Sequence, residues 1–364
     1  MRAAVLEAPN RPLIIKDVRL ADPQPDEVLV RTAAVGLCHS DLHFIEGERD
    51  MPFPGILGHE VSGIVEKVGA NVPNLKPGDH VVAALTAFCG HCASCVTGFQ
   101  VHCEDTSIKQ PFGQADRIFG PEGKINQVMN LSGFAEQVLV HHSSLIAVPK
   151  EMPLDRAALL ACAVTTGTGA VWRSARMEPG STVAVIGCGG IGLATINGAQ
   201  IAGAGRIIAI DVSSRKLAMA KEFGATDLID ASICDPVEAV RDLTHGGVDH
   251  AFECIGLPLT ARQSVEMTAP HCTATIIGVF AKGAEISFPG ELLLTQRKVQ
   301  GSFFGNAHLP VDIPRLVDHY LAGRLKIDEL ISQRITLDQI NEGFEELKSG
   351  NVARSVVVFP DVLP

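Results

Sequence analysis

The stretch of sequence that decides the fold runs from Thr182 to Gly192 and reads TVAVIGCGGIG. Its first five residues are apolar or β-branched, which predicts a short buried strand. The remainder fits G-x-G-x-x-G and precedes a segment of helical length. This arrangement presents backbone N–H groups and a partial positive charge to a pyrophosphate. We therefore expect a dinucleotide-binding α/β unit that begins here.

The glycines of this motif have separate roles. Gly187 allows the tight turn after the strand, Gly189 lets the backbone approach the pyrophosphate, and Gly192 lets the helix pack close to the strand. Gly190 completes the motif at the start of the helix.

A carboxylate ends the next predicted strand, because Asp211 follows Gly192 after nineteen positions. At this place a carboxylate binds both ribose hydroxyls and repels a 2′-phosphate, so Asp211 favours NAD over NADP. Lys216 is a candidate to cover the adenosine ribose, and a solvated helix lysine is the alternative reading of that residue.

Strand and helix candidates alternate after residue 162, which predicts a doubly wound parallel sheet of right-handed βαβ units. The further strand candidates are residues 206–211, 248–253, 273–279 and 299–304. The first 160 residues instead contain short β-type runs separated by turn signals. A chain of 364 residues is too long for one ordinary core. We therefore predict an α/β protein with a second, mostly β domain.

The overall charge disfavours some classes of partner. A net charge of −11 argues against general binding to nucleic acid or to an anionic membrane. The apolar stretch 182–210 is interrupted by glycines and by Asn197, Gln200 and Arg206, which a bilayer core would penalise. The N-terminus lacks the apolar run of a signal peptide. We expect a cytoplasmic protein.

Four cysteines lie close together in one loop and form C-x2-C-x2-C-x7-C. Four thiolates suit a closed, structural zinc site, and we predict one at Cys89, Cys92, Cys95 and Cys103. An iron–sulfur cluster is the chief alternative, but its typical run continues x3-C-P. Idle or redox-active thiols and disulfides are the remaining alternatives. His91 and His102 are interpreted as solvated loop residues.

The order of several motifs resembles the zinc-containing medium-chain alcohol dehydrogenases over nearly the whole chain. The motifs are GLCHSDLH at 36–43, GHE at 58–60, the four-cysteine loop, Cys162 before TTG at 165–167, and the glycine motif. The resemblance implies a GroES-like domain of residues 1–163 and 304–364. It also implies a Rossmann domain of residues 164–303, with the active site in the cleft between the two.

The same resemblance implies that Cys38, His59 and Cys162 hold a catalytic zinc ion. Two thiolates and one imidazole leave a fourth position open for the alcohol, whose hydroxyl the metal acidifies. Asp41 is then the carboxylate that orients His59, and Glu60 lies beside the metal. The chain would thus carry one catalytic and one structural zinc ion.

Further assignments also come from the resemblance. The alcohol proton would leave through Ser40, then the cofactor ribose, then His43 near the surface, while the substrate carbon passes a hydride to NAD. His39 and Arg354 would contact the pyrophosphate. Thr166 and Ile191 would pack against the nicotinamide.

Leu85, Phe134 and Phe303 are the candidates for an apolar substrate pocket. Leu85 occupies a position that is often aromatic, which leaves a roomier site and favours aryl or longer-chain primary alcohols and their aldehydes. The glutathione-dependent formaldehyde dehydrogenases of the same family carry an anion-binding arginine near the place of Ser107, although Lys109 is close. Oxidation of S-(hydroxymethyl)glutathione is therefore the alternative reaction.

Two other functions fit parts of this pattern. A quinone-oxidoreductase-like enzyme would lack the four-cysteine loop and the three zinc ligands. A non-catalytic protein that binds NAD and zinc would not need the Ser40–His43 relay. The long segment between Cys103 and Cys162 resembles the dimeric branch of the family, so we expect a homodimer with small-molecule substrates.

Overall fold

The computed structural model describes residues 1–108, 117–350, 352–360 and 362. The chain divides into two compact units. The first comprises Met1–Cys162, His308–Leu321 and Ile327–Pro364, and the second comprises Ala163–Ala307 and Ala322–Lys326. The sequence analysis did not foresee that the short segment 322–326 returns to the second unit.

Strands and helices are numbered separately in chain order. The strands of the described residues are β1 (Arg2–Leu6), β2 (Ile14–Asp17), β3 (Arg19–Leu20), β4 (Glu27–Gly36), β5 (Gly55–Ile56), β6 (Glu60–Val68), β7 (His80–Ala83), β8 (Ile118–Gly120), β9 (Gly123–Gln127), β10 (Gln137–His141), β11 (Leu145–Val148), β12 (Thr182–Ile186), β13 (Arg206–Asp211), β14 (Asp227–Asp230), β15 (Val248–Glu253), β16 (Thr268–Ile276), β17 (Lys298–Gly301), β18 (Ile331–Ile335) and β19 (Arg354–Val358). The α-helices are α1 (His39–Ile45), α2 (Ala93–Val96), α3 (Leu154–Leu160), α4 (Ala163–Gly169), α5 (Gly190–Ile201), α6 (Ser214–Glu222), α7 (Pro236–Thr244), α8 (Pro258–Glu266), α9 (Glu291–Leu294), α10 (Leu309–Leu321) and α11 (Ile340–Ser349).

The first unit is built on two mostly antiparallel sheets. One has the order β2-β1-β5-β9-β8-β3, and the other has the order β11-β7-β6-β4-β19-β18, with β10 also paired to β4. Strand β4 pairs with β6, β10 and β19, and most of its side chains are buried. Its apolar residues join a core that includes Val30, Phe134 and Phe344, and burial of this surface stabilises the unit.

The second unit contains a six-stranded sheet of order β14-β13-β12-β15-β16-β17, and all five pairings are parallel. Strands β12, β13 and β15 lie where the sequence predicted them, and the α/β prediction is confirmed. Strand β14 was not predicted, and β16 and β17 begin earlier than predicted. Within the described part of the chain, no helix is both long and apolar enough to cross a membrane.

Candidate metal and dinucleotide sites

The first unit gathers four buried side chains around one point. Cys38, His59, Glu60 and Cys162 each offer a ligand atom, and these atoms all lie within 4.8 Å of one another. Strand pairing explains the cluster, because β4 and β6 are antiparallel and Gly36 faces Glu60 across the ladder. Cys38 follows the end of β4, and His59 precedes β6. The pairing of two strands therefore brings together Cys38, His59 and Glu60. Cys162 joins them because it follows α3, which packs on both strands.

Asp41 fixes the orientation of the His59 ring. Asp41 Oδ1 lies 3.2 Å from His59 Nδ1 and accepts a hydrogen bond of 3.0 Å from the backbone N–H of Gly58. The opposite ring nitrogen, Nε2, is buried and has no hydrogen-bond partner. A buried nitrogen without a partner is costly unless it binds something, so Nε2 has the environment of a metal ligand.

The charges around these ligands suit a divalent cation. Burial opposes the charge on His59, yet the carboxylate of Asp41 and the thiolate of Cys38 raise the pKa of this imidazole well above its usual range. A hydrogen bond shared by the two thiols lowers the pKa of Cys38 and raises that of Cys162. Zinc binding displaces such protons, and the donor set of two sulfurs and one imidazole fits zinc.

Glu60 and Arg354 form a buried pair beside the cluster. Arg354 Nη2 lies 3.5 Å from Glu60 Oε1, and the two side chains are 4% and 0% exposed. Burial raises the pKa of Glu60 to about 8. A Cβ atom at Gly36 would lie 2.2 Å from Glu60 Oε2, so glycine is needed there to make room for the carboxylate. The predicted contact of Arg354 with a pyrophosphate stays a prediction.

The four-cysteine loop forms a second cluster in the first unit. The sulfurs of Cys89, Cys92, Cys95 and Cys103 all lie within 4.8 Å of one another. Backbone N–H groups of Cys89 and Cys92 donate to the sulfurs of Cys103 and Cys89, each over 3.3 Å. Backbone N–H groups of Glu104 and Cys95 lower the pKa of Cys92 to about 6, whereas burial raises that of Cys95 to about 12. This closed set of sulfurs has the form of a structural zinc site.

The disulfide alternative and the interpretation of His91 can be compared with the structure. All ten cysteines lie among the described residues, and each is a free thiol, so the disulfide alternative is wrong. The side chain of His91 is 78% exposed, as expected for a solvated loop residue.

The glycine motif of the second unit leaves space where a phosphate would bind. Gly187 has φ +93°, a left-handed conformation that favours glycine. A Cβ atom at Gly189 would meet nothing within 4 Å, whereas one at Gly192 would lie 1.7 Å from the carbonyl oxygen of Gly187. Glycine is therefore required at position 192 because the first turn of α5 passes close to the loop after β12. Helix α5 begins at Gly190, with Ile191 in its first turn.

Asp211 ends β13 and is 8% exposed. Its carboxylate accepts hydrogen bonds from the backbone N–H groups of Cys188 at 2.8 Å and Ser213 at 3.0 Å. The sequence analysis assigned Asp211 to the ribose alone. Its side chain also connects the glycine loop to the turn before α6 through these two hydrogen bonds. Lys216 lies half-buried in the first turn of that helix.

Comparison with known proteins identifies the family. The model described as alcohol dehydrogenase GroES-like domain matches residues 24–150, and the model described as zinc-binding dehydrogenase matches residues 190–321. The alcohol dehydrogenase class-3 of Pisum sativum is 41% identical, and the match covers 99% of this chain and 98% of that protein. The chain belongs to the zinc-dependent medium-chain alcohol dehydrogenases.

Two other relatives extend the comparison. A Schizosaccharomyces pombe protein named "Probable S-(hydroxymethyl)glutathione dehydrogenase 1" is 40% identical, with 98% of this chain and 96% of that protein covered. The crystal structure of benzyl alcohol dehydrogenase from Acinetobacter calcoaceticus matches with a TM-score of 0.92 and 32% identity, covering 98% and 99% of the two chains. The GroES-like and Rossmann prediction is confirmed. This alcohol dehydrogenase uses zinc and a nicotinamide cofactor.

The predicted proton relay of this alcohol dehydrogenase lies on α1. Ser40 is half-buried in its first turn, and the side chain of His43 is 27% exposed near its end. His39, the predicted pyrophosphate contact, is exposed at the first residue of the same helix. His43 Nδ1 lies 2.5 Å from Oε2 of Glu48, a residue that the sequence analysis missed. The only local signal was Gly47, which marks a turn back toward the helix.

The predicted pocket residues of the dehydrogenase have different environments. Leu85 is half-buried against the core of the first unit. Phe134 is fully buried, and its ring packs edge to face on Phe344 with 5.7 Å between centroids. Phe134 thus has a packing role, and its contact with substrate stays a prediction. In the second unit, Phe303 is 52% exposed and Thr166 is buried. Lys109 lies outside the described residues.

Proposed function

We propose that the enzyme oxidises aryl or longer-chain primary alcohols to aldehydes, with NAD as the hydride acceptor, and that it also catalyses the reverse reaction. The observation that favours this substrate class over S-(hydroxymethyl)glutathione is the environment of Ser107. Both its backbone N–H and its hydroxyl donate to Asp105 Oδ1, over 2.9 and 2.6 Å. These bonds lower the pKa of the Asp105 carboxyl, so a carboxylate lies beside Ser107, the residue at the place of the anion-binding arginine.

The residues of the catalytic cluster have distinct roles in this proposal. Zinc held by Cys38, His59 and Cys162 would acidify the alcohol hydroxyl, and the nicotinamide would supply the hydride acceptor. Asp41 keeps His59 Nε2 directed at the metal position. Ser40 accepts the proton of the alcohol, and the partly exposed His43 releases it to solvent.

Oxidation of S-(hydroxymethyl)glutathione is the second candidate, and the name of the 40% identical Schizosaccharomyces pombe relative favours it. Rates for benzyl alcohol, 1-octanol and formaldehyde with glutathione, each measured by NADH formation, distinguish the two candidates. We expect kcat/KM for benzyl alcohol or 1-octanol to exceed that for the glutathione adduct. A higher kcat/KM for the adduct would establish the second candidate instead.

We also propose a homodimer located in the cytoplasm. The length of the segment between Cys103 and Cys162 supports the dimer by its resemblance to the dimeric branch. The ten free thiols suit a reducing compartment such as the cytoplasm. Light scattering coupled to size-exclusion chromatography should give about twice the 38.5 kDa chain mass. Subcellular fractionation tests the location.

A further inference from the structure

The turn after α1 folds back onto His43. The chain reverses direction at Gly47, which has φ +74°. The backbone N–H of Glu48 then donates to the carbonyl oxygen of His43 over 2.9 Å, and that of Arg49 donates to the same oxygen over 3.2 Å. The Glu48 carboxylate reaches the ring itself, with 2.5 Å between Oε2 and Nδ1. One residue thus holds both the backbone and the side chain of His43.

We propose that Glu48 is a positioning residue for the proton relay and forms a His–Glu pair with His43. This inference rests on the proposed function, in which His43 takes the proton that leaves the alcohol. A carboxylate can only accept at Nδ1, so it selects the tautomer with hydrogen on Nδ1. That tautomer leaves Nε2 as the nitrogen that can accept the proton, and the bond from Nδ1–H to the carboxylate holds the ring in one orientation.

The proton count of this step is balanced. A proton arrives at Nε2 of neutral His43, the N–H at Nδ1 stays bonded to Glu48, and the ring becomes a cation beside an anion. Release of one proton to water restores the starting state. The pair can pass a proton to solvent, because the side chains of His43 and Glu48 are 27% and 49% exposed. Water therefore reaches the pair, and solvent screening keeps the effect of the carboxylate moderate.

Other charged groups at this turn have different contacts. Glu46 pairs with Lys348 of α11 over 2.5 Å, and the side chain of Arg49 is exposed. Glu46 therefore provides a matched control, since it carries the same charge two residues away and its described partner is Lys348. Glu46→Gln should keep the kcat/KM of the parent.

The test combines Glu48→Gln, His43→Gln and the double variant. We expect Glu48→Gln to lower kcat/KM for a primary alcohol on the order of tenfold, within the contribution of a general base. In the His43→Gln background, the same change should cause no further loss, because Glu48 acts through His43. Glu48→Asp, which keeps the charge on a shorter stem, should recover part of the rate.

A spectroscopic measurement separates this role from general stabilisation of the loop. In ¹⁵N-histidine NMR spectra, the signals that disappear in His43→Gln belong to His43. These signals should show the Nδ1–H tautomer in the parent and a mixture of tautomers in Glu48→Gln. Thermal unfolding of each variant checks that the turn is folded.

The outcomes distinguish the inference from the proposed function. A parent-like rate for Glu48→Gln, with a slow His43→Gln, would overturn the role of Glu48 and leave the relay intact. Additive losses in the double variant would also overturn it. A parent-like rate for His43→Gln would instead remove His43 from the relay, and the proposed route of the proton would fail first.

Discussion

Replacing Asp211 by asparagine tests the cofactor assignment in the most direct way. The carboxylate lies at the end of β13 and accepts hydrogen bonds from the backbone N–H groups of Cys188 and Ser213. Asparagine has nearly the same shape but carries no charge and only one oxygen. The substitution therefore removes the repulsion of a 2′-phosphate and leaves one of the two N–H groups without its acceptor.

The loss of charge and the loss of an acceptor have separate magnitudes. Two unit charges 4 Å apart interact by about 4 kcal/mol at the effective dielectric constant typical of proteins, and salt reduces this value. We therefore expect the parent to prefer NAD by at least about tenfold, or about 1.4 kcal/mol. Asp211→Asn should abolish most of that preference. The unpaired N–H should lower the free energy of unfolding by about 1–3 kcal/mol. Each kcal/mol lost should lower Tm by about 2–4 °C.

The assay compares kcat/KM for NAD and NADP in the parent and the variant. Asp230→Asn is a matched control, because Asp230 lies opposite Asp211 in the sheet register and its carboxylate likewise accepts a backbone N–H two residues on. The control should keep the cofactor preference of the parent. Equal use of both cofactors by the parent would refute the assignment of Asp211, and so would an unchanged preference in Asp211→Asn.

Three further predictions concern the metals and the stability of the first unit. The parent should hold two zinc ions per chain by atomic absorption, and Cys38→Ala should hold about one and lose turnover; a parent with one zinc would contradict the two-site assignment. Cys95→Ala should melt at a lower temperature and give less folded protein, because a structural zinc contributes on the order of 10 kcal/mol in small zinc domains; unchanged melting with full zinc content would exclude a structural site. Burial opposes the charge on Asp155, but hydrogen bonds from Arg156 and Arg334 lower the pKa of its carboxyl. The pKa of Asp155 is therefore lower in the folded protein than in the unfolded chain. Its contribution to the stability of the fold is complete above the ordinary pKa of about 4, and it is lost as the pH falls through the lowered pKa of the folded state. Denaturation midpoints at pH 6 and pH 3.5 should differ more in the parent than in Asp155→Asn, and equal differences would contradict this reasoning.

The sequence predicted the features that depend on local chemistry. The four cysteines lie within one short loop, so their spacing alone indicated a shared centre. The glycine motif follows a strand and opens a helix, so its conformation was also set by neighbouring residues. Strands β12 and β13 were predicted because each contains an apolar run. Strand β14 was missed because it is only four residues long and has aspartate at both ends.

Cys38, His59 and Cys162 could be joined only by resemblance, because no local spacing relates residues so far apart in sequence. The tertiary structure joins Cys38 and His59 through the register of β4 and β6, which also places Glu60 against Gly36. Cys162 reaches them because it follows α3, which packs on both strands. The second role of Asp211 and the packing of Phe134 on Phe344 likewise depend on contacts between distant segments.

The pair of Glu48 and His43 is separated by only five residues, yet the sequence did not reveal it. Its formation depends on the direction in which the chain leaves α1. That direction is set by the packing of the turn against residues 9 and 10. A Cβ atom at Gly47 would lie 3.0 Å from Pro9, and the N–H of Asn10 donates to the carbonyl oxygen of Ile45. Sequence therefore determined which groups are available for chemistry. The tertiary structure decided which of them meet, because strand register and turn direction are fixed by packing against distant parts of the chain.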